Sequence, residues 1–357
     1  MADIYVNHTG SSTAPYDTEA KAATDIQVAL DAAGTGDTVW IKADQDYVMD
    51  GVDQQAAQFD ADVNNNVAIK GYYLNTGDQD YGGAYYKHSS HGWVVIDANS
   101  GAYYVFSAGD YEALCWKNLK FANVGTSHAA FDLTPTVSEI DYLIQNCWMT
   151  GGRYALNMNY LENPIIRDCK FTGSYTTAPN IWGVIFMNTF CGKAVLIEDC
   201  EFSHAAAARS IYCKHTGMTV IRNNIFNITG SVSKVVEAVY SCVFTNNVIY
   251  EGGGGAITTG LLLSKKAHLV YNNIIVGCTT SITDNDGIHF GGWNCLYNNG
   301  SDWTLREGDI QSDPQFMDAA NGDFRLKPTS PCLNTGKPTP GSGYTSIGAW
   351  QRKSLLR

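Results

Sequence analysis

The sequence predicts an all-β chain, coiled as a right-handed single-stranded parallel β-helix with a helical cap at its N-terminal end and a turn-rich cap at its C-terminal end. Three observations carry that prediction. A five-residue unit recurs along the chain, the residues repeated in it stack well on copies of themselves, and the composition favours strands over helices.

The repeat is the strongest of the three. Lys117-Asn118-Leu119-Lys120-Phe121 is followed by Gln145-Asn146-Cys147-Trp148-Met149, Arg167-Asp168-Cys169-Lys170-Phe171 and Glu198-Asp199-Cys200-Glu201-Phe202. The series continues through Arg222-Asn223-Asn224-Ile225-Phe226, Thr245-Asn246-Asn247-Val248-Ile249, Tyr271-Asn272-Asn273-Ile274-Ile275 and Trp293-Asn294-Cys295-Leu296-Tyr297. By subtraction of successive positions, its Asn/Asp column advances by 28, 22, 31, 24, 23, 26 and 22 residues. A fixed motif at uneven spacing describes coils of constant width whose excess residues loop outward. Residues one coil apart in a parallel sheet lie about 4.8 Å over one another. Asparagine on asparagine then passes amide hydrogen bonds along the stack. Cysteine fills the same place as a small hydrophobe where the site is dry. The predicted structural ladder is Asn118, Asn146, Cys147, Cys169, Cys200, Asn224, Asn247, Asn273 and Cys295, with the column from Phe121 to Tyr297 filling the lumen. Stacked helices would need apolar residues at i, i+3 and i+4, a period these units lack.

Fainter strands precede the series at Thr38-Val39-Trp40-Ile41, Val67-Ala68-Ile69, Val94-Val95-Ile96 and Tyr104-Val105-Phe106. An open β-helix exposes its lumen and an unpaired strand edge, so both ends need covering. Thr18 to Ala33 reads as an amphipathic helix with Ala22, Ile26, Ala29, Leu30 and Ala33 on one face and Gly34 stopping it. After Ser301 the repeat decays into Asp313-Pro314, Asn321-Gly322-Asp323, Ser330-Pro331 and Ile347-Gly348, the punctuation of a turn-rich cap. The expected organisation is therefore 1–36 for the N-terminal segment and capping helix, 37–300 for the coils, and 301–357 for the terminal coil and cap.

Composition agrees and narrows the functional classes. Charged residues make up only 16% of the 357, while Gly (35) and Tyr (21) are plentiful, which suits strands and turns. The net charge of −12 opposes nucleic acid, whose phosphates call for a basic stripe. No apolar run approaches the roughly 18 residues of a membrane span, and the opening Met1-Ala2-Asp3-Ile4 is not that of a signal peptide. The ten cysteines contain no CxxC and no zinc spacing, so they are expected as buried thiols of a chain made in the reducing cytoplasm, with no metal bound.

The ladder units resemble those of the right-handed β-helix superfamily that includes pectate lyases, polygalacturonases and phage tailspikes. Ile4-Tyr5-Val6-Asn7, Ala22-Ala23-Thr24-Asp25-Ile26 and Gly36-Asp37-Thr38-Val39 are similar to the entry segment of such chains. Asp313-Pro314, Asn321-Gly322-Asp323-Phe324-Arg325-Leu326 and Ser330-Pro331 are similar to their terminal coil. The likeness spans nearly the whole chain and specifies the fold. It does not specify an activity, because the superfamily holds lyases, hydrolases, epimerases and plain adhesins.

Enzymes of this fold place carboxylates on an outer face, beside calcium and a basic residue or as an acid/base pair. Asp284-Asn285-Asp286-Gly287-Ile288-His289 resembles the Asp-Gly-Ile element of polygalacturonases. The family's paired Asp-Asp, Gly-His-Gly and Arg-Ile-Lys motifs are missing, and DxDG is also a common turn, the preferred reading here. Lys214, His215, Glu237, Lys265, Lys266 and His289 precede their nearest repeat units by similar distances and so could share one face, though solvated surface decoration is the preferred reading. Were the protein an enzyme, Asp286, His289, Lys265 and Glu237 would be its catalytic candidates, with Ca²⁺ as the one cofactor a lyase would need. His204 and His268 read as structural. Tyr72, Tyr73, Tyr81, Tyr85, Tyr86 and Trp93 crowd one insertion between early coils, rigid amphipathic rings suited equally to stacking on sugars or a protein partner and to packing the loop onto the rod. The expectation is a non-catalytic structural or adhesive β-helix, associated with a virion as a capsid decoration or tail attachment protein. It would be a homotrimer binding glycan or neighbouring proteins, with no nucleic acid and no membrane insertion. The alternatives are a polysaccharide lyase or glycoside hydrolase acting on acidic polysaccharide, and a secreted bacterial surface β-helix.

Overall fold

A computed structural model describes residues 2–51, 59–60, 67–72, 93–100, 104–108, 114–125, 129–133, 141–159, 163–175, 183–187, 194–214, 217–253, 255–287, 289–338 and 345–349. These fall into two compact units, the first within Met1–Phe171 and the second within Thr172–Thr189 and Lys193–Lys353. Each unit is a parallel β-solenoid, built from coils that contribute one short strand to each of three faces.

In the first unit one face carries Asp3–Val6, Thr38–Lys42, Ala68–Tyr72, Leu114–Lys117, Tyr142–Gln145 and Ile165–Arg167 in that order. Their registers are parallel, for example Val39 against Ile69 and Ile69 against Trp116. A second face stacks Tyr47–Val48, Val94–Asp97, Leu119–Ala122 and Trp148–Gly152. The third stacks Phe59–Asp60, Phe106–Ala108, Ala129–Leu133 and Tyr154–Met158. The lumen is aromatic: Phe131 lies 4.8 Å from Phe121, 5.2 Å from Trp116 and 5.9 Å from Phe106 between ring centroids.

The second unit repeats this plan. Its first face runs Ala194–Glu198, Met218–Arg222, Cys242–Thr245, Leu269–Tyr271 and Phe290–Gly292. Glu201–Cys213 is a single long strand that turns a corner, starting the second face beside Ile225–Ile228 and joining the third beside Ser231–Ala238. Phe202 stacks on Phe226 at 4.6 Å, so like lies over like inside.

Two positions of the repeat unit, counted with the Asn/Asp column as the first, have different physics. The first adopts positive φ: Asn118, Asn146, Asp168, Asp199, Asn223, Asn246 and Asn272 all lie between +51° and +62°. Asn and Asp recur because they tolerate the left-handed conformation best among residues with a Cβ. The second residue points inward and forms the ladder. Asn224, Asn247, Asn273 and Asn294 are buried, and each amide Oδ1 accepts from the previous coil. The Asn224 backbone N–H and Nδ2 donate to Asn247 Oδ1 at 2.9 and 3.1 Å, and those of Asn247 to Asn273 Oδ1 at 3.0 and 3.2 Å. Those of Asn273 both reach Asn294 Oδ1 at 3.0 Å. Asn294 passes the chain to Asp309 Oδ1 at 2.8 and 3.1 Å. Where the second residue is cysteine, the thiol takes the amide's place. Cys169 Sγ donates to Arg167 O and Ile144 O at 3.2 and 3.5 Å, just as Asn224 Nδ2 donates to Arg222 O and Ile197 O at 3.0 Å. None of the nine described cysteines forms a disulfide.

Asn118 and Asn146 stack as predicted, Asn146 Nδ2 donating to Asn118 Oδ1 at 2.8 Å, but they do so in the first, turn column. One ladder assignment needs correction. Cys295 is one residue out of frame: it lies beside Ile274, and Asn294 continues the ladder. The cause is Trp293, which holds the positive-φ position (φ 54°) that Asn or Asp holds elsewhere, so matching by residue type slips the last unit by one. Leu296 thus fills the lumen beside Ile275, and Tyr297 faces outward beside Val276. A one-residue slip exchanges the two faces of a strand.

The N-terminal helix is shorter than predicted, Ile26–Ala32, because Asp25 caps it by accepting from Gln27 N and Val28 N. Its expected face is nevertheless buried, Ala22 and Ala33 included. The parallel sheet begins ahead of it, at Asp3, and the segment before the helix covers the exposed edge: Tyr5 N donates to Tyr16 O and Ala23 N to Tyr5 O, both at 2.9 Å. At the other end Phe316–Asp318 and Asp323–Leu326 form an antiparallel hairpin. It packs with Cys332 and Ile347 on Val248, Ile274 and Val276. No helix among the described residues is long and apolar enough to cross a membrane.

Candidate functional site

The tempting acidic element sits at the corner after the strand Thr280–Asp284. Asp284 Oδ1 accepts from Gly287 N at 2.7 Å, closing the turn that the DxDG pattern suits. His289 comes back beneath it, its side chain fully buried, with Nε2 2.7 Å from the same oxygen. The two atoms are close without forming a hydrogen bond. Arg306 Nη2 reaches Asp284 Oδ2 at 3.6 Å, and the Arg306 guanidinium also donates to His289 O. The His268 ring packs edge-on against His289 at 4.5 Å, and its Nε2 reaches Ser264 O at 3.2 Å. Burial pushes the His268 imidazole below its usual range, against the opposing hydrogen bond to Ser264 O.

The four catalytic candidates do not converge on one reacting position. Asp286 is exposed, with its carboxylate accepting from the Lys265 backbone N–H on the preceding coil. The exposed Lys265 side chain extends over the Tyr240 ring, 5.8 Å from its centroid. His289 lies inside, out of reach of an external polymer. Glu237 lies beside Leu262, which lies beside Thr283, so two strand spacings of about 4.8 Å separate it from the acidic turn. Its carboxylate is held by Arg209 and, at 3.0 Å, by Lys234. Lys214 is exposed; His215 lies outside the described residues. Among the described residues no group of three or more His, Cys, Asp or Glu side chains could hold a metal ion.

Of the aromatic insertion, Tyr73, Tyr81, Tyr85 and Tyr86 lie outside the described residues, and its two ends have different fates. Tyr72 is fully buried, edge-on to Trp40 at 6.2 Å and Tyr5 at 6.3 Å, so its ring is not offered to a ligand. Trp93 is half-buried against Trp148 at 6.1 Å. Lys120 and Lys170, one coil to either side, place ammonium groups 4.4 and 5.6 Å from the Trp148 ring. His204, read as structural, is buried with Nε2 2.8 Å from Ser210 Oγ, and desolvation holds its pKa at about 4.

The second unit also has a cleft of about 550 Å³ that the sequence reading passed over. One wall is the outward column Tyr250, Val276 and Tyr297 on three successive coils. The other is the segment Asp313, Pro314, Gln315 and Phe316, with Ala319 and Lys327 beside it. Tyr297 was missed because the slipped frame put it in the lumen. Tyr250 follows a lumen residue, and nothing in the sequence announces that a distant cap segment faces it.

Three parallel faces per coil, an asparagine and cysteine ladder within, and covered edges define a right-handed parallel β-helix. Among solved structures the chain is similar to one described as the crystal structure of pectate lyase Pel9A, with a TM-score of 0.51 and 12% identity over 99% of this chain and 97% of that one. At that identity the likeness establishes the fold and nothing finer. No family model matches the sequence, and no curated protein matches it either.

Proposed function

We propose that the protein is a non-catalytic β-helix with a structural or adhesive role, virion-associated as a capsid decoration or attachment protein, that binds glycan or neighbouring proteins as a homotrimer. The observation that carries this reading is the disposition of the acidic turn: Asp284 is occupied by Gly287, His289 and Arg306, and the His289 ring is buried. The buried His289 ring is out of reach of an external polymer, and Asp284 already accepts from Gly287 and faces Arg306. The half-buried Trp93–Trp148 pair, flanked by lysines, supports an adhesive outer face. Cytoplasmic synthesis with release by lysis fits a set of buried, unbridged cysteines.

The test is twofold. Incubation with a panel of uronate and neutral polysaccharides is expected to give neither unsaturated-product absorbance nor new reducing ends. Native mass measurement is expected to show a trimer that survives dilution. Turnover abolished by Asp286→Asn or Lys265→Ala would overturn the reading in favour of a lyase or hydrolase. A persistent monomer with affinity for no glycan, capsid or tail protein would overturn it outright.

A further inference from the structure

We infer that the cleft between the Tyr250–Val276–Tyr297 column and the Asp313–Phe316 segment is a binding site for a neutral pyranose, as a terminal residue or within a chain. The inference rests on the adhesive reading and gives it a location. A pyranose has an apolar C–H face and a rim of hydroxyls, so a site for it needs aromatic rings and hydrogen-bonding groups at one place. The cleft has both. Tyr250, Tyr297 and Phe316 are half-buried, packed on the core beneath while lining the cleft. Tyr250 is held edge-on by Phe316 at 6.1 Å and Phe324 at 5.3 Å, which fixes its ring. Rigid rings lose little conformational entropy when a ligand stacks on them.

The polar groups stand at the rim. Asn298 and Lys327 are exposed, and among the described residues their side chains make no hydrogen bond or ion pair. Asp313 is exposed, and its Oδ1 accepts from Gln315 N at 2.8 Å, leaving the second oxygen available. Gln315 is itself positioned by Thr329 Oγ1, which donates to Gln315 Oε1 at 2.6 Å. One carboxylate and one ammonium leave the rim without net charge, which matches a neutral sugar whose hydroxyls can donate to Asp313 and accept from Lys327. The volume of about 550 Å³ lies within the range of roughly 300–1,000 Å³ usual for small-ligand sites.

The experiment is saturation-transfer NMR with the methyl glycosides of glucose, galactose, mannose and N-acetylglucosamine, with glucuronate and galacturonate alongside. It is followed by titration of the best binder into the full-length chain and into Tyr297→Ala and Asn298→Ala. Asn298→Ala alters only an exposed side chain, so it remains informative should Tyr297→Ala disturb the fold. Transfer to a neutral glycoside, with affinity falling at least tenfold in Tyr297→Ala and several-fold in Asn298→Ala, is the expected result. Unchanged affinity in both variants, a preference for the uronates, or no transfer to any glycoside would overturn the assignment. Retention on polysaccharide beads separates the two readings: beads that hold wild type and both variants equally leave adhesion standing and remove the cleft, whereas a wild type that binds neither beads nor virion proteins removes both.

Discussion

Replacing Asn247 probes the ladder at its middle, where coils lie on both sides. Its amide makes four contacts. Nδ2 donates to Ile221 O at 2.9 Å and Asn273 Oδ1 at 3.2 Å, and Oδ1 accepts from the Asn224 backbone N–H at 2.9 Å and Asn224 Nδ2 at 3.1 Å. Asn224 Nδ2 keeps Ile197 O and Arg222 O, and Asn273 Oδ1 keeps the Asn247 backbone N–H, so these partners survive truncation. The Asn224 N–H does not, and an orphaned buried donor costs about 1–3 kcal/mol. With the lost net hydrogen bonds and the space left behind, Asn247→Ala is expected to cost about 3–4 kcal/mol. Asn247→Cys restores a donor toward Ile221 O, in the way Cys169 serves Ile144 O, and should cost about half as much. Asn247→Asp turns a carboxylate toward the Ile221 carbonyl and Asn273 Oδ1 and should be the worst of the three at neutral pH. Its folded pKa would lie above the unfolded one, so its extra penalty should shrink as pH falls toward about 4. Urea unfolding followed by tryptophan fluorescence measures the series. Equal losses for Ala and Cys, or losses below about 1 kcal/mol, would show that the stacked amides carry no such energy and refute the reasoning.

His204 offers a pH test. Its folded pKa of about 4 lies below the ordinary 6.5, so the unfolded chain binds a proton the folded one refuses, and stability falls as pH drops through that window. Between about pH 7.5 and 4.5 the loss amounts to about 2.5 kcal/mol, and it should vanish from the pH dependence of His204→Gln; the same urea series at both pH values decides. The Cys147, Cys242 and Cys278 thiols are pushed up by burial, Cys242 to about 12, so native protein at pH 8 should alkylate at the half-buried Cys115 before any of them, as peptide mass mapping would show. A Cβ at Gly230 would lie 1.3 Å from Ala205 O, so Gly230→Ala should lose several kcal/mol or fail to fold. Gly253→Ala, with open space around it but φ 110°, should lose about 1–3 kcal/mol by the same denaturation measurement, from backbone strain alone.

The coil architecture was legible because stacking makes each position answer to its neighbours above and below. The same chemical demand therefore recurs at every turn, and the Asn/Asp and Asn/Cys columns record it. What one column meant was less legible. Asn118 and Asp168 recur for a backbone angle, Asn224 and Asn247 for an amide, and residue type alone does not separate the two. Trp293 shows the cost: one atypical residue at the turn shifted the frame, and with it Tyr297 went from surface to lumen. The acidic turn was read correctly as a turn from Asp and Gly, while the burial of His289 depends on Arg306 and His268, which no local pattern reveals. Tyr72 looked like part of an aromatic outer loop, yet Trp40 and Tyr5 from other coils enclose it.

The asparagine ladder has a direction, and Asp309 ends it. Each amide both gives and receives, so the row transmits, but a carboxylate only receives. Asp309 Oδ1 takes both donors of Asn294, and Oδ2 takes Trp303 Nε1 at 3.0 Å and Arg306 N at 2.8 Å. A further coil laid beyond it would find no N–H to receive. Duplicating a coil upstream merely lengthens the queue, whereas grafting one downstream meets a terminus written in a single side chain.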